Sequence, residues 1–202
     1  MTMNKKIREV GIWALGGLAL SALAASCAST DMTSTWTDST ARGASLSKVA
    51  VVCLTKDPGL RRMAEDTTAT NLTSAQAVPS YQIVGDADLK DRETVKRKLK
   101  AAGMNAVLVM RMTGITKEVS PMYGPYGSFD GYYDYDAAGI YAPDYLQTDT
   151  IVHMISNLYD LDQNKLIWSG VSQTFDPASA KSYMNDVSKA VAKSLQKDRL
   201  VL

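Results

Sequence analysis

The sequence has few of the side chains that carry acid–base, nucleophilic or metal chemistry. Its 202 residues include one histidine, His153, and two cysteines, Cys27 and Cys53. His153 lies in an apolar run without an acidic or serine partner at a recognised spacing, which favours a histidine of the core or sheet over a general base. A Gly-x-Ser-x-Gly elbow, a glycine-rich phosphate loop and a paired Cys/His metal spacing are also lacking. We therefore predict no catalytic residues, no metal site and no cofactor.

The charge is balanced, without the excess of one sign that a polyanionic partner would require. Residues 1–26 hold three basic and one acidic side chain, which leaves 19 basic and 20 acidic side chains in the rest of the chain. A surface that binds nucleic acid needs cations to neutralise phosphates, so the balance argues against that class of protein. The one dense run of cations, from Lys96 to Lys100, fits the last turns of a helix, where cations oppose the macrodipole. A patch for phosphate or anionic lipid is the alternative.

The first 26 residues have the features of an export signal. A basic head of Lys5, Lys6 and Arg8 precedes an uncharged apolar run from Val10 to Leu23. About 14 residues at ~1.5 Å rise span roughly 21 Å, less than the ~30 Å core of a bilayer. A cleaved signal peptide is therefore favoured over a permanent transmembrane helix.

Ala24-Ala25-Ser26 stands directly before Cys27 and resembles the lipobox of bacterial lipoproteins. The resemblance implies cleavage before Cys27 and attachment of lipid, with palmitate-type acyl chains, to that cysteine. An ordinary signal cut that leaves Cys27 as a free thiol is the alternative. Ala28, rather than aspartate, follows the cysteine. By the sorting rule of enterobacterial lipoproteins, this implies the periplasmic face of the outer membrane.

Residues 27–46 are rich in serine, threonine and small side chains, which cannot build a core and predict a tether. Trp36 is the exception, and we expect it to dock on the domain rather than to serve as a ligand-binding indole. Residues 47–202 are one domain's worth of chain. In its first apolar run Cys53 is expected to be an inert core thiol, because an exported protein should hide an unpaired cysteine.

The domain is predicted to have the α/β (α+β) class of fold, with an order βαβα-βββα. The predicted strands are Lys48–Thr55, Tyr81–Val84, Asn105–Val119, Thr150–Asp160 and Lys165–Phe175, with three helices after Asp57-Pro58, Asp91 and Asp176-Pro177. Each aspartate is in position to cap its helix. The first strands should pair in parallel and the last two as a hairpin, giving a mixed sheet of about five strands in two or three layers. Trp168 should be buried beside the last helix.

Several short motifs together resemble a family of small envelope lipoproteins of Gram-negative bacteria. They are Thr33-Ser34-Thr35-Trp36 after the lipobox, Lys48 to Asp57, Glu65-Asp66, Val78-Pro79-Ser80-Tyr81, Asn157-Leu158-Tyr159-Asp160, Lys165-Leu166, Trp168-Ser169 and Thr174-Phe175. That family has no assigned reaction, so the resemblance implies a location and a fold and leaves the function open. The element order is also similar to the α/β domains of envelope lipoproteins that work in secretion channels and polysaccharide export.

A long insertion at 119–146 contains eight aromatic side chains among glycines, prolines and aspartates. The candidate contact residues for a protein partner or for glycan rings are Tyr123, Tyr126, Phe129, Tyr132, Tyr133 and Tyr135. Tyrosine offers rigid, amphipathic contact area and is common in binding surfaces. A cover laid over the sheet is the alternative. The aspartates lack the spacing of a dedicated calcium loop.

These features predict a lipid-anchored interaction or assembly component of the cell envelope. Its expected partners are the membrane, reached through the lipid, and an envelope protein or peptidoglycan, with no nucleic acid. A module that binds cell-wall glycan through the tyrosine-rich insertion is the alternative. An envelope hydrolase is a more distant one.

Overall fold

The computed structural model describes residues 29–41, 46–121 and 146–201. Within them, six strands form one mixed sheet that carries three α-helices. The strands are β1 Thr30–Thr37, β2 Lys48–Cys53, β3 Gln76–Pro79, β4 Ala106–Pro121, β5 Leu146–Asp160 and β6 Lys165–Phe175, and the helices are α1 Pro58–Asn71, α2 Arg92–Ala101 and α3 Ala180–Lys197. The predicted α+β class is confirmed, with six strands where about five were expected.

The strand order is β1-β6-β5-β4-β2-β3. Strands β3, β2 and β4 pair in parallel, and β4, β5, β6 and β1 pair antiparallel. The predicted parallel first half and the predicted hairpin of β5 and β6 are therefore both present.

The sheet is covered on both faces at β2 and on one face further along. Val49 and Val51 point into a large core with α1 and α3, whereas Ala50 and Val52 point into a smaller core that contains Leu99 of α2. This alternation explains why β2 reads as a continuous apolar run, since a strand between two layers needs apolar residues on both faces. The arrangement has three layers around β2.

Trp168 is fully buried in the larger core, as predicted, together with Val187 and Leu195 of α3. Cys53 is also buried in this core as a free thiol. Burial raises the pKa of the Cys53 thiol to about 11, and the nearby Glu65 carboxylate adds to the effect. A thiol with so high a pKa is protonated at neutral pH and is a poor nucleophile, as expected of an inert core cysteine.

Strand β1 lies inside the segment predicted to be a tether. Thr30–Thr37 pairs antiparallel with β6, so backbone hydrogen bonds hold this segment to the edge of the sheet. The segment is thus held on the domain by its backbone, while the Trp36 side chain stays 50% exposed at the surface. The sequence did not predict the strand because its polar residues face solvent and its partner is more than 130 residues away in the chain.

Two further predictions are corrected. The second strand is Gln76–Pro79, whereas Ser80–Gln82, where Tyr81–Val84 was expected to begin a strand, forms a 3₁₀ turn. Asp57 and Asp91 cap their helices as predicted, but α3 is capped by Ser179 rather than by Asp176. The Asp176 side chain instead accepts a hydrogen bond of 2.6 Å from the backbone N–H of Thr150.

Candidate functional site

The strands β4 and β5 extend beyond the rest of the sheet as a two-stranded arm. The last pair between β5 and β6 is Ile151 with Phe175, and β2 ends opposite Met110. Beyond these points β4 and β5 continue for five more pairs, from Lys117–Thr150 to Pro121–Leu146. At ~3.4 Å per residue, the arm projects about 17 Å past the end of β6.

The arm ends at the tyrosine-rich insertion. Strand pairing continues to Pro121 and Leu146, so the insertion is shorter at both ends than the predicted 119–146. The six candidate contact residues, Tyr123, Tyr126, Phe129, Tyr132, Tyr133 and Tyr135, lie outside the described residues, and so does the predicted lipid attachment site Cys27. Because Pro121 and Leu146 are paired, the two ends of the insertion leave the sheet side by side.

An apolar groove of about 450 Å³ lies at the base of the arm. Its walls are Leu60 and Met63 of α1, Ala180 and Tyr183 of α3, and Met112 and Ile115 of β4. We refer to this surface as the apolar groove. The sequence did not predict it, because its walls come from three elements that are far apart in the chain.

The apolar groove collects most of the large exposed apolar side chains of the described residues. Five such side chains are more than 40% exposed, and four of them, Leu54, Leu60, Met112 and Ile115, line the groove. The fifth is Trp36 of β1. Scattered apolar side chains on a surface are ordinary, but a contiguous group marks a contact surface.

The groove wall includes a buried polar group, the hydroxyl of Tyr183. Tyr183 is 7% exposed, and its hydroxyl makes no hydrogen bond within the part of the chain that the structure describes. Burial raises the pKa of this phenol, and the adjacent Cys53 adds to the shift. The hydroxyl therefore stays protonated at physiological pH.

A buried ionic network lies behind α1, at the carboxyl ends of β2 and β3. The guanidinium of Arg61 donates to Glu65 at 2.9 Å, to Asp86 at 2.7 Å and to the Ser80 hydroxyl at 2.9 Å. Glu65 also accepts from the backbone N–H of Cys53 at 3.0 Å and of Tyr81 at 2.8 Å. This end of parallel strands is a common ligand site in α/β proteins. Here the side chains of the protein itself fill it.

The network gives a structural reason for two motifs of the family resemblance. Glu65-Asp66 and Val78-Pro79-Ser80-Tyr81 are separate in sequence but meet here, because Glu65 binds both Ser80 and the backbone of Tyr81. Asp66 accepts a hydrogen bond of 2.9 Å from the hydroxyl of Tyr81. The motifs therefore fasten α1 to the turn after β3.

The cations of α2 are engaged with neighbouring side chains. Lys98 forms an ion pair of 2.6 Å with Asp88, and Lys100 one of 3.3 Å with Asp162. Lys96 donates to the Asn164 side chain at 2.9 Å. These partners favour the interpretation as a solvated helix face over that of an anion-binding patch.

His153 lies half-buried in the middle of β5. Its Nε2 is 3.0 Å from the Thr116 hydroxyl on the neighbouring strand. Within the described ranges, no group of three His, Cys, Asp or Glu side chains is placed to hold a metal ion. His153 is thus a sheet histidine, as predicted.

In 29–41, 46–121 and 146–201, no helix is both long and apolar enough to cross a membrane.

Comparisons with known proteins find similarity only among solved structures. No family model and no curated protein matches the chain. The PelC dodecamer from Paraburkholderia phytofirmans is 17% identical over 85% of this chain and 96% of its own, with a TM-score of 0.38. A point variant of that dodecamer is 18% identical over 83% and 95%, with a TM-score of 0.39. Lipoprotein GNA1162 from Neisseria meningitidis is 16% identical over 75% and 99%, with a TM-score of 0.40. Likeness at this level supports no assignment of activity, partner or assembly.

Proposed function

We propose that this protein is a lipid-anchored interaction or assembly component of the bacterial cell envelope. The observation that carries the proposal is the arm formed by β4 and β5, which holds the two ends of the tyrosine-rich insertion about 17 Å beyond the end of β6. A two-stranded ribbon without further strands adds little to the stability of a domain. An extension of this kind is therefore better explained by contact with a partner than by folding.

The proposed attachment to the membrane depends on Cys27. The predicted signal peptide, the lipobox and Ala28 together support attachment by acyl chains, on the periplasmic face of the outer membrane. Several acyl chains bury enough methylene groups, at ~0.8 kcal/mol each, to make such an attachment effectively permanent. The Cys27→Ser variant has no thiol for acyl transfer and is expected to lose label from a clickable palmitate fed to the cells. Label retained in the variant would refute the anchor.

The proposed contact between the insertion and a partner is tested by removing the insertion. Because Pro121 and Leu146 form the last pair of the ladder, residues 122–145 can be replaced by the two-residue hairpin Asn-Gly. We expect the melting temperature of the domain to hold or to rise slightly, because the entropic cost of closing the loop falls by only ~0.6 kcal/mol for each halving of its length. A large fall in melting temperature would mean that the insertion covers the sheet.

Two experiments distinguish a protein partner from cell-wall glycan. A photo-crosslinking amino acid in place of Tyr126, in cells, should give a discrete adduct with an envelope protein if the insertion docks on a protein partner. The same amino acid in place of Lys90, which is exposed in the 3₁₀ segment before α2, is the control. If the alternative holds and the insertion binds cell-wall glycan, the intact protein sediments with purified peptidoglycan and the deletion variant does not.

A further inference from the structure

We propose that the apolar groove is a membrane-contact surface, in which Leu54, Leu60, Met112 and Ile115 rest on the acyl chains of the bilayer to which Cys27 anchors the protein. The inference rests on the proposed lipid anchor and adds to it a defined orientation of the domain on the membrane. The partner is a lipid surface, recognised by apolar contact.

The position at which the chain enters the sheet links the groove to the anchor. The carbonyl of Ser29 accepts a hydrogen bond of 3.0 Å from the backbone N–H of Phe175, the last residue of β6. Cys27 is two residues before Ser29, and a chain extends at most ~3.6 Å per residue, so its Cα lies within about 7 Å of that of Ser29. The anchor therefore emerges at the end of the sheet where β6 stops.

The apolar groove opens at the same end of the sheet. Pro177, two residues after Phe175, is part of its wall. Ser29 and Phe175 lie on neighbouring segments, ~4.8 Å apart. Cys27 is two residues from Ser29 and Pro177 is two residues from Phe175, so Pro177 lies within about 20 Å of Cys27. An anchor so close keeps the groove near the bilayer surface.

Side chains at this end of the sheet also lie on the same face as the apolar groove. Thr30 of β1 is hydrogen-bonded to Thr174 of β6 through their hydroxyls, at 2.8 Å. Thr174 pairs with Val152, and Val152 pairs with Ile115, so these four residues form one row across the sheet. Val152 and Ile115 line the groove, and Thr174 is buried on the same face. Thr30, three residues after Cys27, therefore lies in the same cross-strand row as the groove residues Val152 and Ile115.

The composition of the surface suits lipid. Leu54, Leu60, Met112 and Ile115 are 43%, 44%, 52% and 58% exposed, respectively. In water these side chains leave apolar area uncovered, and each buried methylene group at a membrane surface contributes ~0.8 kcal/mol. These exposed apolar side chains would enter the bilayer interface together.

Quenching by brominated lipids tests the inference on the full, acylated protein. Trp13 leaves with the signal peptide, so the native tryptophans are Trp36, outside the groove, and Trp168, in the core. The Leu60→Trp variant adds a tryptophan in the first turn of α1, in the groove. Glu93→Trp is the matched control, because Glu93 is in the first turn of α2, on the opposite face of the sheet, with its side chain 70% exposed.

In vesicles of phosphatidylethanolamine and phosphatidylglycerol with brominated acyl chains, we expect loss of the emission added by Leu60→Trp, and no loss of that added by Glu93→Trp. Equal emission of the Leu60→Trp variant in brominated and unbrominated vesicles would overturn the inference. So would complete protection of the added tryptophan from acrylamide before lipid is present, because position 60 is 44% exposed and full protection would mean that a second copy or another segment already fills the groove.

Mass spectrometry of the same preparation separates the two proposals. An acylated protein without quenching refutes the groove contact and leaves the anchor intact. A protein without acyl chains refutes the anchor, and the inference with it.

Discussion

The ring of Trp168 lies directly over Gly170, two residues further along β6. A Cβ atom built on Gly170 would be 2.4 Å from Cη2 of Trp168 and 2.5 Å from the terminal methyl of Met32. The lack of a side chain at Gly170 therefore lets the largest buried side chain of the core lie flat against the sheet.

The substitution Gly170→Ala should destabilise the protein by about 1–3 kcal/mol, because the added methyl group overpacks the site beside Trp168. Chemical denaturation gives the free energy of unfolding. Gly114→Ala is the control, since no atom of the described residues lies within 4 Å of a Cβ at Gly114. A Gly170→Ala protein as stable as Gly114→Ala would show that the ring of Trp168 can move away at no cost.

The substitution Trp168→Ala should cost about 3–5 kcal/mol, as expected when a large core side chain is truncated. Trp36→Ala removes the same side chain from a position that is 50% exposed on the neighbouring strand. Its effect on the free energy of unfolding should be much smaller. Equal midpoints for the two variants in urea would contradict the placement of Trp168 in the core.

The substitution Glu65→Gln should destabilise the protein by about 3–5 kcal/mol, because it leaves the buried guanidinium of Arg61 without the one carboxylate that is fully buried with it. The amide also cannot accept hydrogen bonds at both ends, so either Tyr81 or Cys53 and Ser80 lose an acceptor. Asp66→Asn, one residue further along α1 and exposed, should change stability by less than about 0.5 kcal/mol. Thermal unfolding of the three proteins compares them directly, and a Glu65→Gln protein with the melting temperature of Asp66→Asn would contradict a stabilising role for the network.

The carboxyl group of Asp38, in the turn after β1, should make the free energy of unfolding depend on pH in the acidic range. Lys165, paired with Asp38, and two hydrogen bonds from Thr40 hold the pKa of the Asp38 carboxyl at about 2. A native pKa below the ordinary ~3.9 of aspartate means that the carboxylate contributes fully above about pH 4, and that the contribution is lost as the pH falls toward 2.

Asp38→Asn should therefore lower the free energy of unfolding at neutral pH and make it fall less steeply than in the wild type between about pH 4 and pH 2. Urea denaturation across that range gives both slopes. Asp31→Asn, at an exposed aspartate of β1, should keep the wild-type slope. Parallel curves for Asp38→Asn and the wild type would mean that the Lys165 pair does not persist in solution.

Local signals predicted the elements that depend on local interactions. Asp57 and Asp91 were identified as caps because a cap bonds to backbone N–H groups only two or three residues away. Asp176 has the same sequence signature as Asp57, Asp followed by Pro, but bonds to Thr150 on the neighbouring strand β5. No local pattern distinguishes the two cases, because the competing partner is 26 residues away in the chain.

The sequence by itself determined the order of strands and helices from β2 onward, the double burial of β2 and the burial of Trp168, since each follows from the spacing of apolar residues along one segment. The tertiary structure alone decided that Thr30–Thr37 forms the edge strand of the sheet and that β4 and β5 extend beyond the adjacent strands. It also decided that Leu60, Met112 and Tyr183 share one groove. The period of a segment fixes which face is apolar, whereas strand order and strand length fix which apolar faces remain uncovered, and these depend on pairing between distant segments.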